Sequence, residues 1–395
     1  MDAVSECRIP PTRAAVFIGA ARYRRHSYGA NHPLSIPRVS LTFDLINAYG
    51  ALRADEYLAG RAATAAELGR FHTSEYVQAL QRCEILGRVS DGCRKRHNIG
   101  NLENPWFPGF FSTPALAAGS SVQGAEEVLA GRSAFSPAGG MHHARPDRAQ
   151  GFCYFNDAVL AVDRLRRAGL RVLYLDIDAH HGDGVEEAFA HDRDAFTFSL
   201  HMDTRYAYPF SGGALTDRGA PAGEGACLNL PLPRDTNDSE YALLFETVWP
   251  EVLRVFRPQA VVLQAGTDVI SGDPLGKLRI STQQFLAVVA RVVQDSPRLL
   301  VIGGGGYHPL LLARCWTGVW ALLSGRTLPV EIPPAGQALL RAAACEDMED
   351  EDRHPGRPES LIGARLDEHC RGAVRAEVAG LLDALRRTHP LMAGL

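Results

Sequence analysis

The 395-residue sequence lacks closely spaced cysteines. Its eight cysteines are scattered along the chain, with no CxxC motif and no short framework spacing. This scatter excludes a small disulfide-bonded scaffold and argues against a cysteine-ligated metal, because both require clustered cysteines. We therefore expect a reducing compartment and no disulfide bonds.

Long apolar runs are also missing. The first twenty residues contain early acidic groups and only a short apolar stretch, which is unlike a secretory leader, and no run approaches the length of a membrane span. The sequence therefore predicts a cytoplasmic protein with no membrane partner.

Neither sign of charge is in large excess. The net charge is -4, from 41 basic and 45 acidic residues, so there is no global basic field of the kind that binds a phosphate backbone. We expect no nucleic-acid partner. The 46% hydrophobic and 22% charged composition is that of a globular protein with a large core.

Short apolar runs alternate with helical patterns from about residue 115 onward. The runs RVLYLDI, AVVLQAG and RLLVIGGG are each followed by a helical segment. Such alternation is typical of parallel βαβ units with helices on both faces of the sheet. The sequence predicts an α/β fold: a single domain with an open, mostly parallel sheet and long loops at the carboxyl ends of the strands. One long surface loop is expected over residues 87–112.

The expected organisation is a main domain over residues 13–330 and a C-terminal extension over residues 331–395. The extension contains a single amphipathic helical pattern from about Ser360 to Arg387. We expect this helix to pack on the main domain and not to form a domain of its own.

Titratable residues are concentrated where predicted strands end. Asp176, Asp178 and His180 follow one strand and, at the two-residue period of extended chain, point the same way. Asp268 follows another strand. Strand-end aspartates also cap helices, but a second one, together with the imidazole, favours a site for zinc or another divalent transition metal. Asp178, His180 and Asp268 would be three protein ligands that leave a coordination position open, as in catalytic metal sites.

Two adjacent histidines lie in the glycine-flanked loop GGMHHARP. His142 and His143 are candidates for general acid and base, and each needs a partner that fixes its tautomer. Asp176 and Asp183 remain for that role once the metal ligands are assigned.

The run GGGGYH, which ends at His308, allows two interpretations. A glycine run can hold phosphate, but no Lys-Ser/Thr pair follows it and the GxGxxG spacing is absent, which argues against a nucleotide site. Alternatively, the flexible backbone brings Tyr307 over the metal, where its hydroxyl would stabilise an oxyanion.

With these motifs the chain resembles the zinc-dependent histone deacetylase family, in particular its bacterial acetoin-utilisation type and the class I lysine deacetylases. The matching motifs, in order between about Ala21 and Ser324, are HPLSIPR, GGMHHARPDRAQGFCYFND, YLDIDAHHGDGVEEAF, LQAGTDVISGDPLG and GGGGYHPLLLARCWT. The resemblance implies an arginase-like open α/β sheet, which agrees with the alternation above, and it implies that residues 13–330 are the deacetylase catalytic domain.

The resemblance also implies roles for individual residues. Asp178, His180 and Asp268 would bind zinc, with Fe²⁺ as an alternative in the same site. His142 would pair with Asp176 and His143 with Asp183, and His143 would transfer the proton. Tyr307 would polarise the substrate carbonyl.

Further residues are implied to bind substrate. They are Gly151, Phe152, Tyr208, Leu275, Glu103 and Gly305. Gly151 and Phe152 would line the acyl-lysine tunnel, opposite Tyr208, which stands where the family usually has phenylalanine. Leu275 would lie at the rim, and Glu103 stands where the family has an aspartate that holds the peptide backbone.

Other implied features lie away from the reacting centre. Arg38 matches the arginine of an inner acetate-release channel. Pro274 replaces an arginine of corepressor-dependent members, so no inositol-phosphate corepressor is expected. Structural K⁺ or Na⁺ sites near Asp176 and Ser199 are typical of the family.

The predicted function is hydrolysis of Nε-acetyl or other acyl groups from lysine in a protein or peptide. Three alternatives are weighed against it. An acetylpolyamine amidohydrolase of the same fold would act on an acetylated small amine, an arginase-type enzyme would bind two manganese ions, and an idle relative would bind acyl-lysine without turnover. Here every expected ligand and the tyrosine are present, which argues against the idle protein.

Overall fold

A computed structural model describes residues 14–24, 28–29, 32–347 and 357–394. Side chains are described for all of these except residues 344–347 and 357–358. Residues 1–13, on which most of the leader-peptide argument rests, lie outside the described part of the chain.

Eight parallel strands form one open sheet in the order β2-β1-β3-β8-β7-β4-β5-β6. The strands are β1 Ala15–Gly19, β2 Tyr57–Ala59, β3 Ser133–Ser136, β4 Val172–Asp176, β5 Ala195–Met202, β6 Cys227–Leu232, β7 Ala260–Gln264 and β8 Leu299–Ile302. The predicted α/β class with a largely parallel sheet is confirmed.

Helices cover both faces of the sheet. They are α1 Arg38–Ala48, α2 Ala65–Leu68, α3 Ser74–Leu86, α4 Asp91–His97, α5 Ser112–Leu129, α6 Asp157–Arg166, α7 Asp183–Phe189, α8 Asp238–Phe256, α9 Thr282–Asp295, α10 Pro309–Leu323, α11 Pro334–Asp347, α12 Arg357–Gly363 and α13 Ala376–Thr388. Alternate residues of β4 serve opposite faces, because side chains in a strand alternate. Leu173 and Leu175 pack in the core that contains α1 and α8–α13, whereas Val172 and Tyr174 pack in the core with α5–α7.

Several helices begin where capping residues in the sequence place them. Thr64 and Glu67 form a reciprocal capping box at α2, and the Thr73 side chain accepts from the Tyr76 backbone amide at the start of α3. Asn156 caps α6, which follows the histidine-containing loop. These caps fix where the chain leaves each loop and enters a helix.

Two expectations for the connecting segments were wrong. Residues 87–112 are not all loop, because Ser90 caps the seven-residue helix α4. The single helix expected from Ser360 to Arg387 is two helices, α12 and α13. After α12 the chain is drawn alongside residues 330–331 by the Arg365 amide, which donates to the Val330 carbonyl (2.7 Å), so the helix cannot continue.

Strands β2, β3 and β6 were not foreseen. The first two have only three and four residues, and β6 includes Pro231. Strands this short are held by their neighbours in the sheet and not by a periodic pattern of their own.

The C-terminal residues pack on the same core as the sheet. Leu340, Leu361 and Leu385 are buried there, and the His389 ring bonds the Cys227 carbonyl of β6 (2.9 Å). The division at residues 330 and 331 itself stays a prediction. None of the described helices is both long enough and apolar enough to cross a membrane.

Candidate active site

The carboxyl ends of three neighbouring strands bring the polar residues together. Strand β4 lies beside β7, and β7 beside β8, with Asp176 opposite Gln264 and Gln264 opposite Ile302. The segments after these strands carry Asp178 and His180, Asp268, and Tyr307. In open parallel sheets this edge is where ligands bind.

Asp178, His180 and Asp268 form a buried cluster with metal-ligand chemistry. Their candidate ligand atoms all lie within 4.8 Å of one another. His180 Nδ1 is 2.8 Å from Asp268 Oδ2 and 3.3 Å from Asp178 Oδ1. One imidazole and two carboxylates are a donor set that suits Zn²⁺ or Fe²⁺.

The electrostatics of this cluster favour a cation. Burial and the nearby Asp178 charge raise the pKa of Asp268 to about 7. Although burial opposes it, hydrogen bonds and attraction to the two carboxylates raise the pKa of His180 to about 10. Both shifts arise because two carboxylates are buried close together, where their negative charges are energetically unfavourable. A bound divalent ion would remove that unfavourable energy.

The backbone around the cluster leaves room only for glycine. A Cβ atom at Gly305 would lie 2.0 Å from Asp268 Oδ2, and one at Gly266 would lie 2.1 Å from Asp178 Oδ2. The Gly305 amide donates to Asp178 Oδ2 (2.6 Å). The glycine run therefore lets the backbone approach and orient the carboxylates, which is a different role from holding phosphate.

The two loop histidines each bond a separate aspartate. His142 Nδ1 is 2.9 Å from Asp176 Oδ2, His143 Nδ1 is 2.7 Å from Asp183 Oδ1, and the two Nε2 atoms are 3.0 Å apart. These are the pairs that the sequence and the resemblance predicted, and the geometry places both at the edge of the metal cluster.

The paired histidines differ in basicity. Burial and the neighbouring His142 charge lower the pKa of His143 to about 4. For His142, burial acts in the opposite sense to the Asp176 and Asp178 carboxylates, which raise its pKa to about 9. His143 is therefore the neutral member of the pair near pH 7.

A second triple of candidate ligands, His142, Asp176 and Asp178, also lies within 4.8 Å. It shares Asp178 with the first cluster, and the Asp176 oxygens are already engaged. Oδ2 accepts from the Tyr174 hydroxyl (2.7 Å) and Oδ1 from the Asp178 amide (3.1 Å). We interpret this triple as part of the support for the first cluster.

Tyr307 faces the cluster from the third strand end. Its ring centre is 6.4 Å from that of His180 and 6.1 Å from that of Phe152. Its backbone amide donates to Asp273 Oδ2 (2.7 Å). Burial and the charges of Asp268 and Asp178 raise the pKa of its hydroxyl well above the usual value, so the group keeps its proton.

A cavity of about 400 Å³ leads to these groups from the surface. Its lining includes five of the predicted substrate-binding residues, Glu103, Gly151, Phe152, Tyr208 and Leu275, together with His143, His180 and Tyr307. The sixth, Gly305, lines a small inner cavity beside Asp178. All six therefore line one or both of these two cavities.

Glu103 is held in place at the mouth of the cavity. Its Oε1 accepts from the Gly151 amide (2.8 Å) and the Tyr208 hydroxyl (2.9 Å), and its Oε2 accepts from the Asn98 side chain (3.1 Å). The Tyr208 ring also contacts His143 edge to face, with centres 4.8 Å apart. The hydroxyl of Tyr208, which a phenylalanine would lack, therefore connects Glu103 to the opposite wall of the cavity.

Arg38 lies on the inner side of the site. Its guanidinium donates to the Gly304 carbonyl (2.6 Å) and lies 5.6 Å from the Trp316 ring centre. It lines an inner cavity with Tyr23, Tyr28 and Met141. This is a position compatible with the predicted release channel, and the role stays a prediction.

Sequence reasoning missed several residues that orient the aspartates and histidines. Arg145 and Gln150 both donate to Asp183 Oδ2 (2.6 and 2.7 Å). The Gln264 side-chain amide lies 2.6 Å from His142 Nδ1 and 2.7 Å from the Tyr174 hydroxyl. Arg145 and Gln150 flank the histidine motif and could have been considered, whereas Gln264 required knowledge that β7 pairs with β4.

Comparisons with known proteins give the family of the chain. A family model described as a histone deacetylase domain matches residues 32–323. Histone deacetylase 8 of Xenopus tropicalis is 39% identical over 298 residues, which are 75% of this chain and 80% of that protein. Histone deacetylase RPD3 of Saccharomyces cerevisiae is 36% identical over 329 residues, which are 81% of this chain and 74% of that protein.

Solved structures give the same result. The crystal structure of an HDAC homolog from Aquifex aeolicus matches with a TM-score of 0.90 and 40% identity, and the match covers 94% of this chain and all of that one. A structure of an HDAC homolog complexed with SAHA matches equally well. The family resemblance predicted from the motifs is confirmed, and the chain belongs to the histone deacetylase family of metal-dependent hydrolases.

Proposed function

We propose that the protein hydrolyses acetyl or related acyl groups from the Nε atom of lysine side chains. The observation that carries this proposal is the convergence of Asp178, His180 and Asp268 with His143 and Tyr307 at the base of one cavity. The wall residues Phe152 and Tyr208 suit the aliphatic stem of an acyl-lysine, which buries apolar surface while its amide reaches the polar base.

Asp178, His180 and Asp268 would hold a divalent metal ion, which would supply Lewis-acid polarisation of the acyl carbonyl and would increase the acidity of water. The remaining chemistry belongs to side chains of this protein. Because His143 is neutral near pH 7, its Nε2 accepts a proton from the attacking water, and Asp183 stabilises the imidazolium that results.

The leaving amine needs a proton when the carbon–nitrogen bond breaks. His143 returns the one it accepted, so the products are the carboxylate and the lysine amine, and no other co-reactant is consumed. Tyr307 keeps its proton and donates a hydrogen bond to the carbonyl oxygen as negative charge develops there.

Two variants test the metal and tyrosine roles separately. Asp178→Asn should lose about one metal ion per chain and all turnover of an acetyl-lysine peptide, because a ligand charge is removed. Tyr307→Phe should keep the metal and lose kcat by about 10²-fold to 10³-fold, the usual effect of removing one oxyanion donor. Metal content by atomic emission and peptide deacetylation by mass spectrometry are the measurements. Full turnover by the phenylalanine variant would overturn the tyrosine role.

The acetylpolyamine alternative depends mainly on Glu103 as an acidic gate. Parallel kinetics on acetylputrescine and an acetyl-lysine peptide separate the two substrates. We expect the peptide to have the higher kcat/KM. We also expect inhibition by SAHA, since a homolog of 40% identity has been solved in complex with it.

A further inference from the structure

Two cations lie at the mouth of the catalytic cavity and take no part in the chemistry above. Arg234 and Lys277 are both exposed, and both line the cavity that reaches His180 and Tyr307. Their segments run side by side, because the Asp235 amide donates to the Lys277 carbonyl (2.9 Å). The two positive charges therefore share one side of the entrance.

Neither cation is neutralised by a carboxylate. Among the described residues, no carboxylate oxygen lies within 4.0 Å of the Arg234 guanidinium or the Lys277 ammonium. Arg234 lies over the Tyr206 ring, 4.9 Å from its centre, and the Lys277 ammonium donates to the Pro274 carbonyl (3.3 Å). Both side chains are thus positioned while their charge stays available.

The nearby acidic groups have other partners. Asp203 is paired with Arg205. Asp235 also lies near Arg375, whose pKa is raised chiefly by its hydrogen bond with Glu240 and to a smaller extent by the Asp235 charge. Glu103, the acid that lines the same cavity, accepts three hydrogen bonds from the protein. Among the residues that line this cavity, the two cations Arg234 and Lys277 therefore outnumber the one carboxylate, Glu103.

We propose that the entrance selects acyl-lysines flanked by acidic residues, with Arg234 and Lys277 binding the acidic side chains of the substrate peptide. The proposal rests on the proposed acyl-lysine hydrolase function. Two like charges held close together repel each other, and an arriving carboxylate relieves that repulsion while it positions the peptide. A strongly basic peptide or a polyamine would be repelled at the same place.

The test uses the metal-loaded full chain and four matched acetyl-lysine peptides. Two of the peptides carry glutamates, which precede the acetyl-lysine in one and follow it in the other. In the third peptide glutamine replaces the glutamates, and in the fourth lysine replaces them. We expect the better glutamate peptide to exceed the glutamine peptide in kcat/KM by about threefold to tenfold at low salt, the range for a few exposed ion pairs. The difference should lie in KM and disappear at about 0.5 M salt, where charges are screened within a few ångströms.

Charge-removing variants identify the residues responsible. In the double variant Arg234→Gln, Lys277→Gln, the ratio of glutamate to glutamine peptide should fall to about one, and each single variant should give an intermediate ratio. Lys95, on α4, is the only other lysine in the sequence and does not line the cavity. Lys95→Gln makes the same charge change and should keep the full ratio.

The outcomes distinguish a failure of the specificity proposal from a failure of the proposed hydrolase function. Turnover that is equal for acidic and neutral peptides, or an acidic preference that survives in the double variant, overturns the specificity proposal and leaves the hydrolase function intact. Turnover of acetylputrescine with none of any peptide overturns both.

Discussion

At the scale of single residues, each buried carboxylate of the site has a histidine partner. Asp178 and Asp268 share His180, Asp176 binds His142, and Asp183 binds His143. A carboxylate without a partner at these depths would be costly. These partners orient the histidines, while burial and the neighbouring His142 charge keep His143 neutral although Asp183 acts in the opposite sense.

Asp183→Asn tests the support of the proposed base. Asp183 raises the pKa of His143 by its charge and by its hydrogen bond. Without the charge this pKa should fall further, so the acid limb of the kcat/KM profile should move to lower pH. The weaker base and unstabilised imidazolium should lower kcat by about tenfold to a hundredfold, as measured in stopped assays across pH.

The matched control is Glu187→Gln. Glu187 is an exposed carboxylate that also contacts Arg145, but it does not contact His143. Its removal should leave kcat within about twofold and the acid limb in place. An equal loss of kcat in both variants would mean that Asp183 acts through Arg145 and not through the histidine.

How far the sequence predicts this site varies by residue. The candidate metal ligands follow from strand-end spacing, and the Asp–His pairs follow from the resemblance to the family. His181, which follows the candidate ligand His180, is buried against His201 with ring centres 4.6 Å apart. Tyr174 and Gln264 could not be found, because their meeting depends on β7 lying beside β4, and strand order is not written in local pattern.

At the scale of elements, α6 holds the catalytic loop through its capping residue. The Asn156 side chain accepts from the Val159 amide (3.0 Å) and donates to the His142 and Ala144 carbonyls (3.0 and 3.1 Å). One buried side chain thus fixes both the start of the helix and the backbone that carries the histidine pair.

Asn156→Ala should therefore reduce stability and activity together. The lost cap costs about 1 kcal/mol and each unpaired buried carbonyl about 1 kcal/mol or more, so we expect a loss of about 3 kcal/mol in the free energy of unfolding. Turnover should fall as the loop loosens. Urea unfolding and peptide kinetics at a temperature where the variant stays folded are the measurements.

Thr73→Ala removes a cap without touching the loop carbonyls. It should cost about 1 kcal/mol and leave kcat unchanged. If Asn156→Ala lowers the free energy of unfolding and kcat by no more than Thr73→Ala does, the two carbonyl contacts contribute nothing measurable to stability or activity.

Long helices and helices with capping residues at their ends were easier to predict from the sequence than short ones. The capping box at Thr64 and Glu67 and the long helices α8 and α9 follow from the sequence. Helix α4 was missed because seven residues of mostly charged sequence carry no apolar period. The gap between α12 and α13 was missed because tertiary hydrogen bonds, and not propensity, end the first helix.

At the scale of the whole molecule, an ion pair ties the C-terminal residues to the sheet domain. Arg375 donates to both oxygens of Glu240 (2.6 and 2.9 Å), and the Glu240 side chain is fully buried at the start of α8. Although burial opposes it, the hydrogen bonds from Arg375 hold the pKa of Glu240 below its usual 4.5. The pair therefore adds stability above pH 4.5, and that stability is lost as the pH falls through the lowered value.

Arg375→Ala should cost about 2 kcal/mol near pH 7, less than a fully buried pair because the arginine is a third exposed. The difference from the parent protein should shrink as the pH falls from about 4.5, where this glutamate is protonated in the unfolded chain, through the lowered pKa of the folded protein. Urea unfolding at a series of pH values measures both effects. A difference that does not change with pH would assign the loss to packing and not to charge.

The contact between His389 and β6 also concerns how copies of the chain behave together. Strand β6 is the last strand of the sheet, and an unpaired edge strand is a template on which another chain can add a strand. The His389 ring occupies the Cys227 carbonyl, one of the hydrogen-bonding positions that such an added strand would need. The C-terminal segment therefore covers this position on the edge strand. A second chain would have to displace the His389 ring before it could pair with β6 there.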